Sequence, residues 1–419
     1  MARSRSSGEA PQAPLVPEVG VIAMVPDTWG NVWAPRHQVL TRLAKYFPVV
    51  WMDPPLNWRD FWLPGTRERR APLAHAPEIP SFEVLRPSRW RPQVHRPRFA
   101  AQYFDAARVR DAARRLRRAG AKRIVLYLWR PEYRGALDVL PDAFSCYHID
   151  DEYSFSTVEE PVDPSEAELM RRSDQVFIHS RGLWEKKAHF ATNRQFIPNG
   201  VDFDAFASDF PEPNDLRAIP RPRVGYIGVL RRFLNLPLVL SLAQRHREWS
   251  FVIIGPPRVL GEDAEAHRAL GQLSNVHLLG ARPVWELPAY ARHLDVGIMP
   301  YDVDGYTKFI YPLKLHEYLA AGLPVVATPI RTLLDFPDVV SLAETSDDWS
   351  AALQAALAPA ARSPGLVSVR QSVARAHDWS VLVHRLATTI AERLGEPYLG
   401  RVAAHQLPAE APLEESVRR

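Results

Sequence analysis

The sequence predicts an α/β protein built from two Rossmann-like, doubly wound domains that face each other across a cleft. Short apolar runs alternate with helix-length amphipathic stretches along nearly the whole chain, a pattern typical of βαβ units and parallel sheets. The 419 residues exceed the size at which one hydrophobic core stays efficient, so two domains are expected. Such folds bind ligands at the carboxyl ends of their strands, which here would line the cleft.

The apolar runs form two series of predicted strands. The first series comprises residues 19–25, 48–52, 82–85, 123–129, 145–149 and 175–179. The second series comprises residues 224–227, 251–254, 276–279, 296–299, 324–327 and 339–342. Most intervals between them are long enough for a helix, as the crossover connections of a parallel sheet require.

The boundary between the domains is expected near residue 205. Turn-forming residues at 197–202 and a proline-rich segment at 211–222 separate the two series. We therefore predict the following organisation along the chain: a disordered tail over 1–17, domains over 18–205 and 206–378, a helix over 379–398 that packs back on the first domain, and a tail over 399–419.

The composition argues against several classes of protein. No run of roughly 18 apolar residues is present, and the amino-terminal segment lacks the apolar centre of a secretory signal, so a cytoplasmic protein is expected. The single cysteine, Cys146, lies in an apolar strand, where a buried inert thiol is expected. The loop after the first strand contains Gly30 alone, which argues against the Gly-x-Gly-x-x-Gly turn of dinucleotide-dependent oxidoreductases.

Residues 305–328 predict a nucleotide site. Pro312 and Gly322 bracket a helix of about ten residues, in which Lys314 lies in the first turn and Glu317 lies one turn deeper on the same face. A helix start with a nearby lysine suits a diphosphate, and a carboxylate about 5 Å further along suits the two hydroxyls of a ribose. An exposed ion pair between the two side chains is the alternative interpretation.

Two motifs resemble those of a known family. Residues 314–327 read Lys-Leu-His-Glu-Tyr-Leu-Ala-Ala-Gly-Leu-Pro-Val-Val-Ala, which resembles the donor-site motif of two-domain (GT-B) glycosyltransferases that have a Glu before Ala-Gly-x-Pro-Val-Val. Residues 198–202, Pro-Asn-Gly-Val-Asp, are similar to the interdomain signature of that family. The resemblance extends from about residue 21 to residue 379. Within the group, the chain is most similar to enzymes of the teichuronic-acid type and to the glucuronosyltransferase of xanthan assembly.

The resemblance implies a glycosyltransferase of the hexosyltransferase type, in which Glu317 holds the ribose and Lys314 the phosphates of a nucleotide-sugar. The first domain would then bind the acceptor and the second domain the donor. Two positions depart from the family pattern: Phe309 stands where a second Glu is usual, and the usual Arg and Lys after the first strand of the second domain are out of register. Arg231 is expected to substitute for these cations, with a solvated loop position as the alternative for Arg231 and Arg232.

Six further residues are expected to line the cleft. Tyr301 ends a strand, Thr307 lies in the loop before the nucleotide helix, and Leu313 stands at the start of that helix, so these three are expected to complete the donor pocket. Arg36, His37 and Asp150 are candidate substrate contacts. For Arg36 and His37 an ordinary position at the start of the first helix is the alternative.

Carboxylates after a first-domain strand predict the catalytic end of the cleft. Residues 150–152, Asp-Asp-Glu, follow the strand predicted at 145–149. The corresponding strand of the xanthan glucuronosyltransferase ends in a general-base aspartate, so the resemblance implies that Asp151 takes the proton of the acceptor hydroxyl. A general base contributes typically about 10²–10⁴ in rate. This assignment leans towards inversion of configuration.

No metal or other cofactor is expected. Residues 150–152 and 302–304 are acidic clusters that resemble divalent-ion sites, but Asp-rich loops commonly form turns or cap helices. The helix start and Lys314 would stabilise the departing diphosphate electrostatically, without a metal ion. His148, alone on an apolar strand, is expected to be a core residue.

Basic and aromatic residues cluster in the first domain. Residues 108–123 contain eight basic residues against one acid, although the net charge of the whole chain is only +4. Residues 99–118 and residues 56–63, which include Trp58, Phe61 and Trp62, add aromatic side chains. Such a surface suits anionic lipid and predicts a peripheral position at the inner face of the cell membrane; a solvated arginine face is the alternative. No nucleic-acid-reading motif accompanies the charges.

The predicted function is transfer of a sugar from a nucleotide-sugar to a saccharide or lipid-linked acceptor, in bacterial-type synthesis of surface polysaccharide or glycoconjugates. Two alternatives stay open, because fold does not decide function. A sugar-nucleotide epimerase would share the fold and the donor pocket, and a noncatalytic nucleotide-sugar binding protein would share the pocket without turnover.

Overall fold

Two parallel β-sheets organise the structure, a computed structural model that describes residues 13–30, 33–57, 79, 81–88, 93, 98–155, 158–258, 261–405 and 407. The first sheet has the strand order β3-β2-β1-β4-β5-β6-β7, and the second has the order β10-β9-β8-β11-β12-β13. Helices cover both sheets. The predicted fold class, two doubly wound α/β domains, is therefore confirmed.

The first sheet is built from strands β1 Val19–Met24, β2 Val49–Met52, β3 Phe82–Leu85, β4 Arg123–Leu128, β5 Phe144–Ile149, β6 Gln175–Ile178 and β7 Arg194–Phe196. The second is built from β8 Arg223–Ile227, β9 Ser250–Ile254, β10 Val276–Gly280, β11 Val296–Met299, β12 Val325–Ala327 and β13 Ser341–Leu342. All six residues of β1 and all five of β8 are buried, as expected for central strands of a sheet covered on both faces.

The α-helices of the first half are Pro35–Leu43, Arg98–Arg118, Ala136–Val139, Pro164–Arg172, Arg181–Lys187 and Phe203–Ala207. Those of the second half are Asn214–Arg217, Leu236–Arg245, Ala264–Leu270, Leu287–Arg292, Leu313–Ala320, Ser346–Leu357, Pro364–Ala376, Trp379–Leu394 and Tyr398–Ala403. Among the described residues, no helix combines the length and the apolar character needed to cross a membrane.

The strand order positions the functional loops. In the first sheet the order reverses between β1 and β4, and in the second sheet it reverses between β8 and β11. Loops at the carboxyl ends of these strands diverge to opposite faces and leave a crevice, which is where open α/β sheets bind ligands. The residues that follow β5, β8 and β11 therefore meet in the space between the two sheets.

The carboxyl-terminal part of the chain returns to the first domain. The helix Trp379–Leu394 buries Leu382, Leu386 and Ile390 in the same apolar cluster as Val21 of β1. The short helix Tyr398–Ala403 follows, and Val402 is fully buried. Residues 399–403, predicted as part of a tail, thus belong to a helix in which half-buried Tyr398 and buried Val402 lie four residues apart on one face.

Candidate functional site

A hydrogen bond joins the two domains at the centre of the cleft. Tyr306, in the loop after β11, donates from its hydroxyl to Oδ1 of Asp151, two residues after β5, at 2.8 Å. The ring of Tyr306 packs against Phe155 of the first domain and Phe233 of the second, with centroid distances of 5.4 and 5.9 Å. The predicted catalytic residue therefore lies at the contact between the two halves of the cleft.

The backbone after β11 fixes the position of Tyr306. Asp304 accepts hydrogen bonds from the backbone N–H groups of Tyr306 and Thr307 at 2.8 and 2.7 Å through Oδ1. Thr307 is fully buried, and its hydroxyl accepts from the N–H of Asp304 at 3.0 Å. The hydroxyl of Thr307 thus belongs to the turn, and its predicted contact with the donor stays a prediction.

The nucleotide helix predicted at 312–321 is observed over Leu313–Ala320, with Pro312 at its amino-terminal cap rather than in its first turn. Lys314 donates from Nζ to the hydroxyl of Tyr301 at 2.8 Å, and its ammonium lies 4.9 Å above the ring of Tyr226. The lysine is therefore oriented by two tyrosines from β8 and the end of β11. Its charge is held beside free N–H groups at the helix start, an arrangement that favours an anion.

Glu317 lies one turn deeper and is half-buried. Burial raises the pKa of Glu317 to about 7, and the nearby charge of Lys314 offsets part of that effect. The carboxyl group is therefore poised between its neutral and ionised forms near neutral pH. Hydroxyl donors from a bound ligand would favour the ionised form.

The loop after β8 passes directly beside Lys314. Gly228 adopts φ +150°, and a Cβ at this position would lie 3.1 Å from Cε of Lys314. A glycine therefore allows this close approach. Arg231 follows on the exposed part of the loop. Burial raises the pKa of Tyr226 and of Tyr301, the two tyrosines around Lys314, and the charge of Arg231 offsets part of that rise. Arg231 thus adds positive potential on the same side as Lys314.

Leu313 is the first residue of the nucleotide helix, and its side chain packs against the apolar cluster of the first domain. Tyr301 is buried, and burial raises its pKa well above the ordinary value. Both side chains therefore stabilise the site through packing. The backbone N–H at the helix start remains the group suited to phosphate.

A cluster of buried ionic side chains stabilises the turn that contains Asp151. Lys187 donates to Glu166 at 2.8 Å and lies 3.4 Å from Glu152, and all three side chains are inaccessible to solvent. Nζ of Lys187 also lies 3.5 Å from the carbonyl oxygen of Asp151. Lys187 thus connects the backbone of the turn that contains Asp151 to the helix Pro164–Arg172.

Asp150 points away from Asp151 and towards the first helix. Arg36 contacts Oδ2 of Asp150 at 2.6 Å and also pairs with Asp27, and Tyr153 donates to Oδ1 of Asp150 at 2.7 Å. Arg36 and Asp150, predicted separately as substrate contacts, are thus each other's partners. Nε of Arg36 is buried and has no hydrogen-bond partner among the described residues.

His37 lies in an aromatic cluster rather than on the cleft surface. Its ring centroid is 4.5 Å from that of Trp51 and 5.2 Å from that of Trp29, and Nδ1 accepts from the N–H of Ala34 at 3.2 Å. Burial lowers the pKa of His37 to about 4, so the imidazole is neutral at physiological pH. This environment matches the alternative interpretation, an ordinary residue near the start of a helix.

His148 and Cys146 of β5 are also core residues. His148 stacks on Trp129 at 4.1 Å and shares a hydrogen bond of 2.8 Å with Tyr127, and burial lowers its pKa well below the ordinary value. Burial raises the pKa of the Cys146 thiol. In the described parts of the chain, no group of three or more His, Cys, Asp or Glu residues is arranged to hold a metal ion.

Sequence reasoning missed Tyr306 and the role of Phe309. Phe309 belongs to the second domain, yet its side chain is buried in an apolar cluster of the first. Its carbonyl accepts from the hydroxyl of Ser180 at 2.6 Å, and a Cβ on Gly182 would lie 2.2 Å from the carbonyl oxygen of Lys308. In the sequence, the only sign of this contact was Phe309 in place of the usual Glu. The partners of the loop that contains Phe309 are visible only in the tertiary structure.

Comparison with known proteins finds a family match in the second domain. Residues 221–359, which contain Gly228, Lys314 and Glu317, match the family model of glycosyl transferases group 1. The second domain is therefore similar to this family. The glycosyl transferases group 1 domain therefore contains the whole predicted donor pocket, and the resemblance drawn from residues 314–327 is confirmed.

One curated relative and several solved structures extend the comparison beyond that domain. The chain is 28% identical over 237 residues to TuaH of Bacillus subtilis (strain 168), which is named a "putative teichuronic acid biosynthesis glycosyltransferase". That match covers 54% of this chain and 58% of TuaH, so it spans little more than half the length of the relative.

The similar solved structures have the same two-domain GT-B fold. OtsA in its apo form has a TM-score of 0.62 and 15% identity, covering 90% of this chain and 98% of its own. Anabaena Alr3699/HepE, solved with UDP and glucose, has a TM-score of 0.59 and 15% identity, covering 89% and 99%. WaaG, a glycosyltransferase involved in lipopolysaccharide biosynthesis, has a TM-score of 0.57 and 14% identity, covering 89% and 99%.

Proposed function

We propose that this protein is a glycosyltransferase that transfers a sugar from a nucleotide-sugar to a saccharide or lipid-linked acceptor in the synthesis of surface polysaccharide or glycoconjugates. One observation carries the proposal: Asp151 lies at the interdomain contact, opposite a group 1 domain whose Lys314 and Glu317 lie one helical turn apart. A base on one side of a cleft and an anion site on the other are what sugar transfer from a nucleotide requires.

The donor half would work as follows. Lys314 and the start of its helix bind the diphosphate, Arg231 adds charge from the loop after β8, and Glu317 accepts hydrogen bonds from the ribose. As the bond between sugar and phosphate breaks, negative charge grows on the departing diphosphate. Fixed positive groups stabilise that charge most where it develops, which lowers the barrier to transfer.

The acceptor half would supply the nucleophile. Asp151 takes the proton of the acceptor hydroxyl while that oxygen bonds to the anomeric carbon. Lys187 and the N–H of Glu152, which donates to Oδ1 of Asp151 at 2.8 Å, hold the turn in place. Tyr306 also donates to Oδ1, so an incoming hydroxyl would use the second carboxylate oxygen or replace the tyrosine.

Replacement of Asp151 by Asn tests the assignment. We expect Asp151→Asn to slow sugar transfer by about 10²–10⁴, because the amide cannot accept the proton. Nucleotide binding should be unchanged, since Lys314 and Glu317 are untouched. Thermal stabilisation by UDP, GDP or ADP measures that binding and should reach about 2.7 kcal/mol at 100 times the dissociation constant.

Asp150→Asn is the matched control for this test. It changes an equivalent carboxylate that is already paired with Arg36, so it should alter stability more than the chemical step. An unchanged transfer rate in Asp151→Asn would refute the assignment of Asp151 as the general base. Absence of stabilisation by all three nucleotides would refute the donor pocket, and with it the alternatives of an epimerase and of a noncatalytic binding protein.

We also propose that the protein works in the cytoplasm, at the inner face of the cell membrane. At 100° per residue, five exposed side chains of the helix Arg98–Arg118 fall within about 60° of one another: Phe99, Tyr103, Arg110, Arg114 and Arg117. Phe99 and Tyr103 are 73% and 66% exposed, which is unusual for large apolar side chains. Aromatic residues at one end and arginines at the other suit the boundary of an anionic bilayer. Trp58, Phe61 and Trp62 lie outside the described residues.

Charge reversal of this stripe tests the membrane proposal. Arg110→Glu, Arg114→Glu and Arg117→Glu together should abolish retention on liposomes that contain anionic lipid at low salt, because each basic residue contributes about 1 kcal/mol at such a surface. The same reversal at Arg245, Arg247 and Arg268, exposed on the second domain, is the control and should leave retention intact. Equal loss of retention in both triple variants would indicate that retention depends on the net charge of the protein alone and not on this stripe.

A further inference from the structure

A cavity of about 470 Å³ lies between the domains, next to Tyr306. Its lining residues come from both domains: Phe155, Val158, Glu159, Arg232, Phe233, Asp304, Gly305 and Tyr306. The volume is within the range of small-molecule sites in proteins. Because Tyr306 both lines the cavity and contacts Asp151, a ligand in this cavity would lie beside the proposed base.

The cavity is separate from the nucleotide pocket. Phe233 stands between the two, with its ring 5.9 Å from that of Tyr301 on one side and 5.9 Å from that of Tyr306 on the other. Lys314 and Glu317 are absent from the cavity lining. Of the two consecutive arginines, Arg232 belongs to the cavity lining and Arg231 does not. Arg231 acts electrostatically on the tyrosines around Lys314, and both arginines act on Tyr306.

Most polar groups of the cavity wall already have partners. Glu159 pairs with Lys308 and with Lys186, and these bonds hold its pKa below the ordinary value. Oδ1 of Asp304 accepts hydrogen bonds within the turn, so the second carboxylate oxygen is the one that could accept a hydrogen bond from a ligand hydroxyl. Arg232 differs, since it makes no hydrogen bond, ion pair or ring contact with any described residue.

The balance of charge and shape favours one kind of ligand. Lys186 and Lys308 offset the charge of Glu159, whereas the backbone N–H groups that donate to Asp304 do not cancel its charge. Arg232, whose guanidinium has no partner among the described residues, is therefore the group of the wall that suits a carboxylate or phosphate. Phe155, Phe233 and Tyr306 present aromatic surface suited to the apolar C–H face of a sugar ring. The spare oxygen of Asp304 suits a sugar hydroxyl.

We propose that this cavity binds a sugar that carries a carboxylate or phosphate group, with Arg232 as the recognition residue for that group. The inference rests on the proposed glycosyltransferase function, in which such a sugar would be the acceptor held beside Asp151. The donor's own sugar is the second source of the same chemistry, because it too must lie near Asp151 during transfer.

Binding of simple sugars distinguishes these sources. The full-length protein, saturated with the nucleoside diphosphate that stabilises it, is titrated with glucuronate, glucose 6-phosphate and glucose, and binding is followed by saturation-transfer NMR. We expect both anionic sugars to bind at least tenfold more tightly than glucose, and Arg232→Gln to remove that difference, because a charged hydrogen-bonded pair is lost.

Arg231→Gln is the matched control, since it changes the adjacent and equally exposed arginine. It should weaken binding of the nucleoside diphosphate and leave the preference for glucuronate intact. Phe233→Ala should weaken the binding of glucose and of glucuronate by the same factor. The thermal midpoints of all three variants identify any that has lost its fold.

Two results would overturn the inference: equal binding of glucose and glucuronate, or a preference for glucuronate that survives Arg232→Gln. If free sugars do not bind but the protein prefers UDP-glucuronate to UDP-glucose in an Arg232-dependent way, the anionic sugar belongs to the donor. Repeating the titrations without nucleotide distinguishes a failure of sugar binding in this cavity from a failure of nucleotide binding in the donor pocket.

Discussion

Glu317 combines burial with a proposed binding role that requires the charged form of its carboxyl group. A half-buried carboxyl group near a single ammonium keeps its proton up to a pH of about 7, and only the ionised form accepts two hydroxyl hydrogen bonds without conflict. The sequence indicated the position of this residue through its spacing from Lys314. It could not indicate the raised pKa, because that depends on how the rest of the domain encloses the helix.

Nucleotide affinity should therefore depend on pH through Glu317. Because its pKa in the free protein is raised to about 7, the ionised fraction falls from most of the molecules at pH 8 to a small minority at pH 6. We expect the dissociation constant of the nucleoside diphosphate to rise by about tenfold over that interval, measured by calorimetry. Glu317→Gln should bind more weakly at pH 8 and show a flatter profile; identical profiles would assign the dependence to the nucleotide itself.

Asp151 and Tyr306 differ in how far the sequence could predict them. Asp151 follows an apolar strand, and the carboxyl end of a parallel strand is a place where functional groups gather, so its location in the cleft was predictable. Tyr306 lies in a loop without periodic pattern, and its partner is 155 residues away in the chain. A contact across two domains leaves no local signature in either segment.

At the level of elements, the central strands and the edge strands β3 and β10 were predictable, whereas the edge strands β7 and β13 were not. The inner strands are continuous apolar runs because both faces of each sheet are covered. Strand β7, with the sequence Arg194-Gln195-Phe196, is an edge strand that lacks this pattern, and it was missed. Strand β13 is shorter than predicted, since only Ser341–Leu342 pair with β12, although the apolar run begins at Val339.

The helix Arg181–Lys187 packs so closely on the second domain that it allows no side chain at Gly182. A Cβ there would lie 2.2 Å from the carbonyl oxygen of Lys308, which is backbone and cannot move alone. Gly182→Ala should displace the loop that carries Tyr306 and lower the free energy of unfolding by about 1–3 kcal/mol. Denaturant titration measures this change.

Gly135→Ala is the matched control for Gly182→Ala. Gly135 has ordinary right-handed φ and ψ angles, and no atom lies within 4 Å of a Cβ built on it. This substitution should be neutral or slightly stabilising, because alanine restricts the unfolded chain. Equal stability of the two alanine variants would show that the domains adjust without loss at this contact.

For the whole molecule, the interface between the domains is largely polar around a small apolar centre. Arg331 pairs with Glu185 at 2.7 Å and Arg181 with Asp335 at 3.1 Å, and these partly exposed pairs contribute roughly 0–1 kcal/mol each. Phe309 supplies the apolar centre. Interfaces of this kind within one chain permit relative motion of the domains, so closure of the cleft depends on a few contacts.

Phe309→Ala should therefore open the cleft while both domains stay folded. The phenyl ring of Phe309 is buried in an apolar cluster of the first domain. Its removal eliminates about 3–5 kcal/mol of packing, part of which stabilises the interface and part the fold. We expect a larger radius of gyration in small-angle scattering and slower sugar transfer, because Tyr306 would separate from Asp151. Phe336→Ala, which truncates a phenylalanine packed on the core of the second domain, should lower stability without expansion. An unchanged radius of gyration in Phe309→Ala would show that the polar pairs alone keep the cleft closed.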